Sequence, residues 1–204
     1  MPGFYADGEY DIAGTIVGVV EKSKVIDGRS IVPGDVLIGL GSDGLHTNGY
    51  SLARRVMFDV CGLSPDTRVP ELAATAGEAL LWPHRSYLTS VRPLLEAGWV
   101  KGMAHITGGG ITENLPRILP EGTAAAITRD AWTVPPMFRF LQDRGGIAED
   151  EMFRAVNMGI GLVIVCAGAH AGRVIDALAG AGEHPVRLGA IVAGSPSVLY
   201  RRGV

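Results

Sequence analysis

Val36-Leu-Ile-Gly-Leu40 runs into Gly41-Ser-Asp-Gly-Leu-His-Thr-Asn-Gly49, after which Leu52, Val56 and Val60 recur four residues apart. The first stretch is short, continuously apolar and closed by glycine, the pattern of a strand buried on both faces. The four-residue spacing predicts a helix over about 49–61, with Thr47 or Asn48 as N-cap and Gly62 as stop. A strand, a polar loop and a helix therefore follow one another, and the loop gathers imidazole, carboxylate, amide and hydroxyl groups. Exposed N–H groups at a helix start favour an anion, and His46 could donate to a phosphate or an oxyanion there. The plainer alternative is that Thr47 or Asn48 caps the helix, Asp43-Gly44 turns the chain and His46 is simply exposed.

The same order recurs downstream. Val100–Ile106 is weakly alternating and feeds Thr107-Gly-Gly-Gly110, beyond which Ile111, Leu115, Ile118 and Leu119 make a helical stripe. Three glycines let a backbone approach a ligand with no Cβ in the way; His105 precedes them, and Arg117 follows one turn into the helix. A flexible connection capped by Thr112 is the alternative. At Glu151–Gly161 a polar helix end turns into an apolar strand, and here the structural reading is favoured: Asn157 marks a left-handed helix stop and Gly161 a close packing point. Strands are further expected over 11–20, 123–128, 160–166, 186–192 and 197–202. Helices are expected over 71–81, 85–97 (with Pro93 at a kink or in a new first turn), 135–143, 148–156 and 169–180. The fold class is α/β (α+β), a mixed β-sheet covered by helices. No Ser/Gly/Pro-rich linker divides residues 1–204, so a single domain is expected.

Composition narrows the function. The 204 residues are 47% hydrophobic and 19% charged with a net charge of −3, which excludes disorder and gives nucleic acid or a membrane surface no electrostatic attraction. A small molecule is the expected partner. Cys61 and Cys166 are the only cysteines, too few for a disulfide framework or a metal cluster. His84, His170 and His184 stand alone, and no pair has zinc-site spacing, so no metal ligand is expected. Neither a P-loop nor a complete dinucleotide fingerprint accounts for the 29 glycines. No leader and no apolar run near the ~20 residues of a membrane span is seen, and a cytoplasmic protein is expected.

The wording of the loops is more specific than their physics. Met1-Pro-Gly-Phe-Tyr5, Tyr10-Asp-Ile-Ala-Gly14, Gly34-Asp-Val-Leu-Ile38 and Ser42-x-Gly-x-His-x-Asn-Gly-Tyr-Ser-Leu52 occur in order. Tyr87, His105-Ile-Thr-Gly-Gly-Gly110, Glu113-Asn-Leu-Pro-Arg117, Leu119-Pro120 and Asn157-Met-Gly-Ile-Gly161 follow. The chain resembles the aminoimidazole ribonucleotide synthetase family, the phosphoribosylformylglycinamidine cyclo-ligases, through their C-terminal domain. The resemblance departs at His84, where the family more often carries Thr. It implies ATP-dependent ring closure of formylglycinamidine ribonucleotide, through an iminophosphate that turns a poor leaving oxygen into phosphate. It also implies ATP and Mg2+ as cofactors, handled mainly by an N-terminal domain that this chain lacks. That N-terminal half would be the partner, and a homodimer of the full-length protein would form largely through it. An isolated domain, a truncation or a misplaced start codon would each give such a chain. By motif position the resemblance makes His46 the group that polarises the amide oxygen or holds the phosphoryl, with Asn48 orienting it. Thr107, Gly108, Gly109, Gly110 and Asn114 would cradle substrate or phosphate, and Arg117 would contact an anion. A non-catalytic phosphate- or nucleotide-binding module, or another member of the same superfamily, is the competing reading.

Overall fold

The computed structural model describes residue 10 and residues 12–202; the Met1–Tyr5 motif lies outside them. In chain order the elements are β1 (Val36–Gly41), α1 (Tyr50–Arg54), β2 (Arg68–Val69), β3 (Ala74–Thr75), α2 (Ala76–Leu80), α3 (Leu88–Glu96) and β4 (Val100–His105). Then come α4 (Gly110–Asn114), β5 (Thr123–Thr128), α5 (Pro136–Gly145), α6 (Glu149–Ala155), β6 (Ile160–Cys166), α7 (Ala171–Gly180), β7 (Val186–Ala193) and β8 (Val198–Arg201). Six strands form one sheet in the order β4-β6-β1-β7-β5-β8, and β2 and β3 form a separate two-residue ladder. All neighbours in the large sheet are antiparallel except β5 and β8, so the sheet is mixed as expected.

Alternation along β1 explains the layering. Val36, Ile38 and Leu40 face one side and meet Val91 and Leu94 of α3 and Val174 and Leu178 of α7. Leu37 faces the other side, where Ile111 and Leu115 of α4 and its continuation pack with Val163, Val165 and Ile127. Because both faces are covered, all seven residues of β6 are buried, and the strand reads as an unbroken apolar run. A third cluster joins α1, α2, α5 and α6 around Phe138, Leu141, Met152 and Met57.

Several boundaries differ from the sequence reading, each for a local reason. Residues 12–20 form no strand although they are rich in β-branched residues; Ile16 is 97% exposed and Val19 fully so. Propensity describes how a side chain suits a pleated surface, and no described strand pairs with this segment. The helix after β1 is capped by Gly49 at φ +75°, not by Thr47 or Asn48, and it widens into a π-helical turn over Arg55–Val60. The helix expected over 71–81 is broken at Ala73, whose φ of +53° separates a 3-10 turn from β3, and Thr75 then opens α2 with a capping box to Glu78. Pro93 lies inside α3. No helix among the described residues is long and apolar enough to cross a membrane.

Leu37 is fully buried between β1 and α4, whereas Leu199 on the edge strand is 43% exposed. Leu37→Ala should therefore cost about 3 kcal/mol in urea denaturation, and Leu199→Ala less than about 1 kcal/mol. Equal losses would show that the two faces of the sheet are not the core described here.

Candidate functional site

Both β1 and β4 pair antiparallel with β6, which lies between them, so they run the same way and end at the same edge of the sheet. Two strand spacings put those ends about 10 Å apart. The loop 42–49 leaves β1 and the loop 107–110 leaves β4, and the entry to β6 reaches this edge between them. There Asn157, 2% exposed, ties the pieces together. Its Oδ1 accepts from the Ser42 hydroxyl and the Gly159 N–H, both at 2.8 Å, and its Nδ2 donates to the carbonyls of Gly44 at 2.9 Å and Leu45 at 3.2 Å. Asn157 is therefore not the left-handed helix stop expected of it: it holds the loop after β1, and the left-handed residues are Met158 and Gly159.

The loop so held carries two successive non-glycine residues in left-handed conformation, His46 at φ +53° and Thr47 at φ +66°. Such backbone costs energy and persists only where surrounding contacts over-determine it. His46 is 1% exposed, not at the surface. Its Nε2 accepts the N–H of Asp43 at 3.0 Å and of Arg85 at 3.3 Å, which leaves the proton of the neutral ring on Nδ1. Nδ1 is buried without a hydrogen-bond partner among the described residues. Burial, reinforced by the neighbouring His84, lowers its pKa to about 4. The ring fits only because residue 161 is glycine: a Cβ there would lie 2.1 Å from the Tyr87 hydroxyl and 2.9 Å from the His46 ring. That hydroxyl donates to the carbonyl of Gly41 at 2.7 Å.

The second loop is shaped from inside. Asn114, 5% exposed, accepts from the Thr107 hydroxyl at 3.0 Å and donates to the carbonyls of Gly108 at 3.0 Å and Gly110 at 2.8 Å. Its amide is thereby committed to the loop and faces no solvent. Gly110 has φ +57°, and a Cβ on it would sit 2.1 Å from the Phe153 carbonyl, so this turn admits glycine alone. Gly109 is the N-cap of α4; Thr112, the cap in the alternative reading, instead bonds the Phe153 carbonyl at 3.1 Å. The N–H groups of Gly108 and Gly109 meet no acceptor among the described residues. Asn48 bridges the loops: Nδ2 donates to the His46 carbonyl at 2.8 Å, and Oδ1 lies 3.6 Å from where a Cβ on Gly108 would be. Arg117 is exposed on the 3-10 turn Leu115–Ile118 and makes no ion pair among the described residues.

Folding adds contacts that the sequence did not announce, and His84 does not stand alone. The His84 ring stacks on His46 with centroids 4.3 Å apart. Its Nδ1 bonds the Thr47 hydroxyl at 3.1 Å, and its Nε2 lies 3.0 Å from Nε2 of His105. Arg85 anchors this segment to Glu183 at 2.7 Å and Asp43 at 3.3 Å, and buried Glu183 also accepts from Ser90 at 2.7 Å. Nothing in their spacing announces these contacts, since positions 43, 85 and 183 come from three separate connections. Among the described residues, His46, His84 and His105 alone form a group of three or more such side chains able to meet at an ion. The 620 Å³ surface cavity lined by Glu71, Val134, Arg139 and Phe140 shares no residue with either loop.

A family model described as AIR synthase related protein, C-terminal domain, matches residues 32–201. The phosphoribosylformylglycinamidine cyclo-ligase of Trichlorobacter lovleyi is 51% identical over 191 residues, covering 94% of this chain and 55% of its own length. That of Myxococcus xanthus is 50% identical over 194 residues, 95% of this chain and 56% of its own length. The chain thus spans about half the length of the curated relatives it matches. Hydrogenase maturation protein HypE in complex with ATP superposes with a TM-score of 0.63 at 19% identity, over 90% of this chain and 52% of that one. Thiamine-monophosphate kinase from Stenotrophomonas maltophilia gives 0.60 at 16% identity, over 89% and 54%. At these identities the likeness is one of fold.

Two measurements test the geometry. Asn157→Ala leaves several buried groups unpaired and should cost about 3 kcal/mol in denaturant unfolding; a cost under about 1 kcal/mol would show that the loop after β1 does not depend on it. His46 titrates near 4 in the folded chain against an ordinary 6.5, so the unfolded chain binds the extra proton between those values. The stability linked to this group is complete above pH 6.5 and is lost as the pH falls toward 4, on the order of 3 kcal/mol. His46→Gln should flatten the dependence of the urea midpoint on pH in that window, and an unchanged slope would contradict the burial of His46.

Proposed function

Because the chain belongs to the AIR synthase related proteins through their C-terminal domain, we propose that it is the C-terminal part of a phosphoribosylformylglycinamidine cyclo-ligase. The enzyme would convert formylglycinamidine ribonucleotide and ATP to aminoimidazole ribonucleotide, ADP and phosphate. The observation that carries the reading is the meeting of two glycine-bearing loops at one sheet edge, in a chain about 50% identical to curated cyclo-ligases over nearly its whole length.

In this reading the reaction runs in two balanced steps. The formyl amide oxygen takes the γ-phosphoryl group of ATP as the bond to the β–γ bridging oxygen breaks and ADP leaves; the neighbouring nitrogen then attacks the activated carbon, the C–O bond breaks, phosphate leaves and a proton goes to solvent. Protein groups have little covalent work in such a transfer and act by positioning and by stabilising charge on oxygen. The unpartnered N–H groups of Gly108 and Gly109 are donors of the right kind, with Thr107 and Gly110 completing the turn and Asn114 holding its shape. Asn48 presents Oδ1 to the same space. His46 is buried with Nε2 engaged by backbone donors, so its proposed part is to position the loop, and the donor role passes to the glycine backbone. Arg117 supplies a cation for a substrate phosphate.

ATP is proposed as co-substrate; one fold neighbour was solved in complex with it. Mg2+ prefers hard oxygen ligands, and the one metal-capable group among the described residues is made of imidazoles. The ligands of Mg2+ are proposed to belong to the part of the relatives' length that this chain does not span.

The test is aminoimidazole ribonucleotide formation by the chain with formylglycinamidine ribonucleotide, ATP and Mg2+, alone and with the complementary N-terminal half of a relative supplied as a second polypeptide. Turnover is expected in the mixture. Gly108→Val should reduce it about 100-fold without unfolding the chain, because a Cβ there meets only Asn48 Oδ1 at 3.6 Å and the added methyls enter the cleft. Substrate binding without turnover in either case would favour a binding module, and full activity of Gly108→Val would remove the loop from the site.

A further inference from the structure

We infer that His84 and His105, above the buried ring of His46, form a binding site for a divalent transition-metal ion of the zinc class, at the mouth of the cleft between the two loops. Three chain segments far apart in sequence each bring one imidazole, with a ligand nitrogen of each within 4.8 Å of the others. Such donors suit Zn2+, Co2+, Ni2+ or Cu2+ and not the hard cations that favour oxygen.

The separations match an ion. Two nitrogens bound to a common zinc at about 2.0–2.1 Å, with an angle near 95–110°, stand about 3.0–3.4 Å apart; the Nε2 atoms of His84 and His105 share a hydrogen bond at 3.0 Å, and the ion would replace the proton between them, which goes to solvent. The outer hydrogen bonds are also those of a metal ligand. Nδ1 of His84 pairs with the Thr47 hydroxyl at 3.1 Å, and in the tautomer that carries its proton on Nδ1 the Nε2 lone pair is directed at His105. The backbone behind His84 is pinned by Arg85, whose charge is met by Glu183 at 2.7 Å and Asp43 at 3.3 Å. His105 is fixed as the last residue of β4, opposite Leu162 of β6.

The third imidazole supplies an independent observation. His46 is 1% exposed, stacks under His84 and keeps Nδ1 buried with no hydrogen-bond partner among the described residues. A buried polar nitrogen left unpaired is costly, and because the His46 ring stacks on His84 at 18°, its Nδ1 reaches an ion in the His84 plane once the ring turns out of the stack. Ligation through Nδ1 exchanges its proton for the metal, and the proton goes to solvent. His84 and His105 are exposed, so the ion would enter from the cleft side and keep positions open to water or to an anionic ligand. The site is separate from the hydrogen bonds that shape the glycine loop, and its occupancy can be read without turnover.

The experiment is calorimetric titration of the metal-stripped chain with Zn2+, and of the same chain with Co2+ followed by visible absorption. One equivalent should bind with a dissociation constant below about 10 μM, and Co2+ should develop an absorption band in the 500–650 nm region characteristic of four- or five-coordinate nitrogen sites. His84→Phe keeps the ring stack and removes both nitrogens; it and His105→Phe should each weaken binding at least 30-fold. His184→Phe, on an exposed histidine outside the cluster, should leave binding unchanged. Should His84→Phe fail to fold, His105→Phe and Zn2+-induced shifts of the histidine ring resonances in the unaltered chain decide the matter. Absence of saturable binding, or binding that survives both His84→Phe and His105→Phe, would overturn the inference.

Discussion

A single buried carboxamide holds the functional edge of this sheet together. Asn157 meets a carbonyl with each of two N–H bonds and a hydroxyl and a backbone N–H with its oxygen, so all its usual capacity is used. Its partners lie 112 to 115 residues away, apart from Gly159 two residues on. No apolar side chain of that size could satisfy the same four groups, and each would otherwise be stranded away from water. The position of the loop after β1 is therefore dictated by the entry to β6, and the site inherits its shape from a contact that touches no ligand.

Strain next to that clamp is kept in place by a second set of interactions. His46 and Thr47 in left-handed conformation would relax in an isolated loop. Here Asp43 and Arg85 donate their N–H groups to the His46 ring, Asn48 donates to its carbonyl, and Gly161 leaves the space the ring fills. Arg85 is in turn fixed by Glu183, which is 7% exposed and bonded to Ser90. Burying such a carboxylate is tolerable because both its oxygens are met, one by a guanidinium and one by a hydroxyl. The chain from Glu183 to Arg85 to His46 explains how a connection before β7 supports a loop after β1.

The strands were legible in the sequence wherever burial on both faces made them apolar throughout: Val36–Leu40, Thr123–Thr128 and Ile160–Cys166 were read almost to the residue. Helix positions followed from apolar spacing, and both glycine loops were found from composition alone. Residues 12–20 misled because β-branched content reports suitability for a sheet and not the presence of a neighbouring strand. The caps at Gly49 and Gly109 were missed because Thr47, Asn48 and Thr112 have the chemistry of caps, while the turns needed positive φ at the glycine. Asn48, Asn114 and the loop glycines lie at one edge of the sheet. The approach of His84 to His105 and the role of Glu183 depend on tertiary contacts 21 and 98 residues long, for which a single sequence carries no periodic signal.

The placement of His105 depends on an irregularity at the opposite end of its strand. Along β4, Val100 faces Cys166 and Gly102 faces Val165, so Lys101 is an extra residue, and from Met103 to His105 the pairing is regular. Side chains alternate between faces, and without this bulge every later residue of β4 would point the other way. Lys101 holds the bulge by donating to both oxygens of Asp35 at 2.8 Å, and Asp35, with a side chain 4% exposed, also accepts the Val32 N–H. Desolvation offsets most of the Coulomb attraction of such a pair, so its contribution lies in fixing one register over another. Ala104 consequently faces the core and His105 turns toward His84, which places the chemistry at one end of the sheet under the control of an ion pair at the other.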